Sequence, residues 1–279
     1  MTAANISTVA VATEMTDSVV GVDGSGMLIP FRGFAGDGEA DIARAASSAR
    51  RIAAVIRSSS RSAAETIPGD YSGYCEITAT GSETAFEGSI TFYDYSDSLY
   101  SDSLSGSISF SYRLASGNEM EGTEQLQISF TNLTSGSERV YGSLGLTHQY
   151  VCAAVAGDET YYKDNVAMDM TYAHNSTTNG GPYAVAYDNL AYEEEWSGLS
   201  GTTVTSIDGR IYHSDYGFVD IVTEVPRVYY EYSYNYGSGL IYITGAGSAK
   251  VKLEYSTSGN VAYLDADGNG TYDYQWGLP

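Results

Sequence analysis

The chain is short of cations. Its 279 residues hold 13 Lys and Arg against 35 Asp and Glu, a net charge of −22 with the three histidines neutral. A surface this acidic repels phosphate backbones, which excludes a nucleic-acid partner, and it disfavours anionic membrane surfaces for the same reason. No apolar run approaches the roughly 18 residues that a spanning helix needs, so no transmembrane segment is expected. Cysteine is nearly absent. Cys75 and Cys152 are too far apart for a Cys-x-x-Cys redox or zinc motif, and no histidine spacing completes a metal site. His148, His174 and His213 each lack a Ser or Cys nucleophile motif nearby. No Gly-rich phosphate loop opens a helix, and no dinucleotide fingerprint occurs. With these absences the chain is expected not to be an enzyme.

What is present is a large, aromatic β protein with a different leading segment. Apolar residues at 43% and aromatics at 13% argue against disorder. All 26 tyrosines fall at or after Tyr71. Charge divides at the same place, with six basic and seven acidic residues in 1–68 against seven basic and 28 acidic in the remainder. Ile67, Pro68 and Gly69 mark the boundary with turn chemistry. The expected organisation is an Ala/Ser/Arg-rich helical segment over 1–68 and an acidic, Tyr-rich antiparallel β domain over 69–279.

In the first segment Ile42, Ala45, Ala46, Ala49, Ala53 and Ile56 share one helix face. Arg44, Arg50, Arg51, Arg57 and Arg61 fall mainly elsewhere, and residues 42–64 contain no acid. The Ala-rich face is thin for membrane insertion, so the helix is expected to pack on the acidic β domain. Residues 6–22, rich in Val and Thr, read either as a weaker helix or as an extended donor strand.

From Tyr71 the period is two. Ile90 and Phe92, then Ile108, Phe110 and Tyr112, then Leu126, Ile128 and Phe130 alternate with polar residues, as antiparallel strands with one wet face do. Turn clusters recur at Ser116-Gly117-Asn118, Thr134-Ser135-Gly136, Asn179-Gly180-Gly181, Asp208-Gly209 and Ser258-Gly259-Asn260. Roughly a dozen strands follow, in a long meander curled into a barrel, half-barrel or sandwich and packed with the Ala/Arg-rich helix. Gly88-Ser89-Ile90-Thr91-Phe92 recurs as Gly106-Ser107-Ile108-Ser109-Phe110, which predicts two similar strands of one meander. The duplicated Tyr95-Ser96-Asp97-Ser98-Leu99 and Tyr100-Ser101-Asp102-Ser103-Leu104 between them lengthens their hairpin or its loop.

Three features carry candidate sites. Asp265, Asp267, Asn269, Thr271 and Asp273, with Gly270 at the sixth position, match the first nine positions of a calcium loop. Trp276 stands where the bidentate Glu belongs, the flanks read as strands, and Asn-Gly is equally a hairpin turn, so calcium and a plain acidic turn both stay open. Cys75 and Cys152 are expected to form one disulfide in an exported protein, worth roughly 4 kcal/mol in the loop-entropy model, with two buried thiols as the alternative. Tyr230, Tyr232, Tyr234 and Tyr236 share one face of a strand predicted over 228–236. Such a ladder suits stacking sugars or packing another chain, and equally cross-strand aromatic packing within the sheet. Glu193-Glu194-Glu195 reads as solvated surface, since alternation sends neighbours to opposite faces.

The runs Thr223-Glu224-Val225-Pro226, Ser238-Gly239-Leu240-Ile241-Tyr242-Ile243-Thr244-Gly245-Ala246-Gly247-Ser248 and Leu264-Asp265-Ala266-Asp267-Gly268-Asn269-Gly270 resemble the C-terminal region of exported, lipoprotein-like β-rich proteins of Gram-negative bacteria whose activity is unknown. The opening Thr2-Ala3-Ala4-Asn5 is similar to the start of their helical stretch. The likeness is clear over residues 201–276 and implies compartment and fold only: export to the periplasm, cell surface or extracellular space. The chain departs from that pattern in having no leader and no lipid-accepting cysteine, so Met1 is expected to follow a removed signal. These readings lead to a non-enzymatic cell-surface or matrix protein that self-assembles as a filament or surface-layer subunit. The alternative is a glycan- or lipid-binding module using a tyrosine-lined face.

Overall fold

The computed structural model describes residues 63–69, 71–82, 84–96, 103–118, 120–154, 159–175, 182–215, 217–231, 235–245 and 247–278. The predicted helix with its face from Ile42 to Ile56 lies outside the described residues, as does the choice between helix and strand for 6–22.

The described chain is all strand and turn. In order the strands are β1 (Ala63–Pro68), β2 (Ser72–Ser82), β3 (Ala85–Ser96), β4 (Leu104–Gly117) and β5 (Glu121–Ser135). They continue as β6 (Glu138–Cys152), β7 (Glu159–His174), β8 (Tyr183–Ser197), β9 (Thr202–His213) and β10 (Gly217–Tyr230). The last four are β11 (Asn235–Gly245), β12 (Lys250–Ser256), β13 (Asn260–Asp265) and β14 (Tyr274–Leu278). Every strand pairs antiparallel with its sequence neighbours in one 14-stranded sheet, and among the described residues no ladder joins β1 to β14. β1 moves the start of the β region ahead of the expected boundary at residue 69. The predicted meander is present, whereas the ladder is not closed as a barrel's would be.

Alternation explains the strands. Ile90, Phe92, Ile108, Phe110, Ile128 and Phe130 are buried, while Ser89, Thr91, Ser109 and Ser111 between them reach solvent at least in part. The repeated pentapeptides lie side by side, Ser89 opposite Ser109 and Ile90 opposite Ile108. In-register rows cross the sheet, one of them running Phe110, Ile128, Leu144, Met168, Leu190 on β4 through β8. These rows belong to one continuous apolar cluster on a single face. At about 25 cal/mol per Å² of apolar surface removed from water, that face supplies the main driving force for folding.

Bulges interrupt the ladders at regular places. Asp94, Asn132 and Asn189 have left-handed backbones, and register shifts occur at all three. Asp and Asn tolerate that conformation because their short side chains bond locally. Glycines stand against all three, Gly73 at Asp94 among them. A Cβ on Gly106 would lie 2.3 Å from the Asn132 carbonyl oxygen, and one on Gly209 would lie 2.6 Å from that of Asn189. Asp208-Gly209 is therefore not the turn expected from the sequence. It sits inside β9, where glycine admits the bulge of the neighbouring strand.

Candidate functional site

The acidic loop joins β13 to β14. Asp265 is buried, at 2% exposure, and its carboxylate turns the loop around itself. Oδ1 accepts the amides of Gly268 at 2.8 Å and Asn269 at 3.1 Å, and Oδ2 accepts that of Gly270 at 2.8 Å. Left-handed Gly268 and Gly270 supply the tight turn. Burial pushes the Asp265 carboxyl up, but the amides of Gly270, Gly268 and Asn269 outweigh it and hold the group below the usual carboxylate range. Asp267 accepts the Asn269 amide at 3.2 Å, Asn269 Oδ1 accepts the Thr271 amide at 2.7 Å, and Asp273 accepts the Ala266 amide at 2.9 Å. Carboxylates of Asp265, Asp267 and Asp273 converge, with ligand atoms all within 4.8 Å of one another. Three hard oxygens at that spacing fit a calcium ion, but Asn269 Oδ1 is spent on the Thr271 amide, and Trp276 lies on β14.

The tyrosine ladder is not one strand. Tyr230 ends β10 and Tyr236 lies on β11, so the chain turns between them, and Tyr232 and Tyr234 lie outside the described residues. Tyr229 stands opposite Tyr236, with ring centroids 5.3 Å apart. Tyr236 packs against the core while Tyr230 is 40% exposed, so the two do not form one surface. The run misleads because residues 228–236 are nearly all strand-formers with no glycine to mark the turn.

Cys75 and Cys152 do not form the expected disulfide. They lie on β2 and β6, four strand spacings apart, or roughly 19 Å. A disulfide tolerates Cα atoms no more than about 7 Å apart. Both are buried.

Sequence reasoning missed a polar constellation on the buried face. It lies at the end of the sheet bearing hairpins β4–β5, β6–β7, β8–β9 and β10–β11, here called the upper end. Cross-strand register aligns Glu124, His148, Asp164, Glu194, Thr205 and Arg227, one residue from each of β5 through β10. The next row toward the end is aromatic: Tyr150, Tyr162 and Trp196, then Thr203, Tyr229 and Tyr236. His148 Nδ1 lies 2.6 Å from the Asp164 carboxylate and its Nε2 lies 3.5 Å from that of Glu159. The Glu194 carboxylate accepts the hydroxyl of Tyr162 at 2.6 Å and also that of Tyr192. Tyr112 donates to Glu124 at 2.7 Å, and the Trp196 indole donates to Glu231 at 2.6 Å. Arg227, 2% exposed, donates to Thr205 and sits 5.3 Å from the ring centroids of both Tyr236 and Tyr255.

Environment shifts several of these groups, Glu194 and His148 among them. Burial pushes the Glu194 carboxyl up, the Tyr162 and Tyr192 hydroxyls pull it back, and Asp164 adds to the rise, leaving it above the ordinary range. For His148 burial works downward, but Asp164, then Glu159 and Glu124, outweigh it and raise the imidazole. Glu193 and Glu195 point to the other face, where Lys163 holds them at 2.9 and 3.8 Å. The solvated reading of this triplet thus holds for its flanks and fails for Glu194.

A smaller polar group occupies the opposite, lower end. Buried Glu138 accepts the Tyr172 hydroxyl at 2.6 Å, and Tyr183 stacks between His174 and His213 with centroids 5.2 and 5.6 Å away. Among the described residues no helix is long and apolar enough to cross a membrane. No family model matches the chain, and no curated protein or solved structure matches it.

Proposed function

We propose that the protein is a non-enzymatic, exported β protein of the cell surface or extracellular matrix that assembles by joining the edges of its sheet. The observation that carries this reading is the edge at β14. Tyr274 and Trp276 are 61% and 39% exposed there, and no described strand pairs beyond β14. An open edge with large aromatics is a template for another strand. β1 and β14 are different strands, so pairing one with the other on a neighbouring copy is heterologous and continues without closing, as a filament or layer requires. In this reading the sheet curls about its apolar face toward a half-barrel. Calcium held by Asp265, Asp267 and Asp273 fixes the β13–β14 hairpin and so presents the edge.

The test is size against concentration by light scattering, with and without calcium. Growth of oligomers that Trp276→Lys abolishes is expected, since a charged edge resists pairing. Monomers at every concentration in both buffers reject assembly.

A second reading is favoured by the half-buried aromatic row of Tyr162, Trp196, Tyr229 and Tyr236 beside the carboxylates of Glu194 and Glu231. Flat rings with flanking acceptors suit a glycan. Glycan-array binding lost in Trp196→Ala supports it, and silence on the array removes it.

A further inference from the structure

The charged row at the upper end sets short polar contacts side by side on neighbouring strands, one register step apart. It spans the six strands β5 through β10. Its members are short-range neighbours: Tyr112 to Glu124, Glu159 and Asp164 to His148, Tyr162 and Tyr192 to Glu194, and Thr205 to Arg227. Tyr150 stacks on the His148 ring at 5.3 Å. Lys163 is turned to the opposite face by Glu193 and Glu195. Among the described members, positive charge on this row therefore comes from Arg227 and from His148 when it is protonated.

We propose that this row is a pH-operated latch on the upper end of the sheet, closed while His148 and Glu194 hold their protons and loosened when both are released. With both protonated, Glu124, Glu159 and Asp164 face His148 and Arg227, leaving one net negative charge. With both deprotonated, four carboxylates face Arg227 alone, leaving three. Repulsion among half-buried groups is screened by salt less than on an open surface. The strand ends are the elements that can yield, because hairpin termini open locally at a lower cost than strand centres. The raised titration of both groups is the thermodynamic counterpart of that geometry: the closed upper end binds protons that the open one does not.

The experiment is amide hydrogen exchange on the full chain at about pH 5 and about pH 8, corrected for intrinsic exchange. Protection at Glu124, His148, Asp164 and Glu194 is expected to fall about tenfold or more at the higher pH, the equivalent of about 1.4 kcal/mol. Protection at Val140, Tyr172 and Val185 toward the lower end is expected to hold. Equal loss at both ends, or no loss at either, overturns the proposal. Glu194→Gln keeps the side-chain size without the charge, one tyrosine hydroxyl turning from donor to acceptor, and is expected to flatten the upper-end pH dependence. Undiminished dependence in that variant overturns the role of Glu194. Should the variant fail to fold, the ring-proton titration of His148 in the unaltered chain decides. A midpoint above the ordinary 6.5 supports the latch, and one at or below it overturns the latch.

Discussion

Two glycines three residues apart on β6 provide a controlled test of why this sheet needs glycine where it does. Gly142 has a φ of +118°, and a Cβ built there would lie 2.4 Å from the Asp169 carbonyl oxygen and 2.4 Å from the Met170 Cα. Both obstacles are backbone. Gly145 carries no such φ, and its nearest obstacle is the Gln127 amide oxygen at 2.8 Å, the far end of a flexible side chain. Gly142→Ala must hold an L-residue in a sparsely populated region, at about 1–3 kcal/mol. It must also push β7 away by about 1 Å or more to reach ordinary contact distance, weakening the flanking ladder bonds at about 1 kcal/mol each. The sum is about 3–5 kcal/mol, a large share of a typical stability of about 5–15 kcal/mol. For a domain of this size that lowers Tm by about 6–20 °C. Gly145→Ala only displaces a glutamine and reduces the freedom of the unfolded chain, so it is expected to be neutral or stabilising by up to about 1 kcal/mol. Urea unfolding of both variants measures the difference. A Gly142→Ala cost below about 1 kcal/mol, or equal costs for the two, refutes the reasoning, because either result means the backbone contact is not what excludes a side chain.

Other outcomes follow from the same structure. Leu190 is fully buried in the row running from Phe110, so Leu190→Ala is expected to cost about 2–5 kcal/mol by urea unfolding. Stability should peak on the acid side of neutrality. Arg210 bound to Asp220 and the loop amides on Asp265 hold those carboxyls low, a contribution present above about pH 4 and lost as pH falls. Raised Glu194 and His148 contribute oppositely, their stabilisation fading as pH climbs from about 4.5 past 6.5, so a stability maximum at pH 8 or above contradicts the assignment. Millimolar calcium is expected to raise Tm and Asp267→Asn to remove the rise, whereas an unchanged Tm in calcium leaves the loop as a turn.

The apolar alternation of β3, β4 and β5 and the paired pentapeptides were legible in the sequence, because each depends on local periodicity alone. Turns at Ser116-Gly117-Asn118 and Ser258-Gly259-Asn260 were legible for the same reason. The polar row was not, because it depends on register across bulges. Val185 and Tyr187 are buried, so carrying their alternation straight on would place Glu193 and Glu195 on the buried face. The left-handed residue at Asn189 inserts one position, so Leu190, Tyr192 and Glu194 are buried instead. Asn132 does the same on β5, where burial passes from Ile128 and Phe130 to Leu133 and Ser135. Leu144 and Leu146 do carry an unbroken alternation to His148, and that signal was available.

The bulges are themselves ordered. Gly73 crowds Asp94, Gly106 crowds Asn132, Gly142 crowds Asp169, and Gly209 crowds Asn189, one such contact in each of the pairs β2–β3, β4–β5, β6–β7 and β8–β9. All four lie nearer the lower end of their strands. A line of bulges met by glycines thus crosses strands β2 through β9 at one level, and bulges are features that bend a strand. The charged row lies on the upper side of that line. Bulges and charge are thus separated along these strands: glycines meet left-handed Asp94, Asn132 and Asn189 and the irregularity at Asp169 below, and the charged row crosses β5 through β10 above. A substitution at the bend is expected to act on global stability, whereas one in the charged row is expected to act on the upper end and on its response to pH.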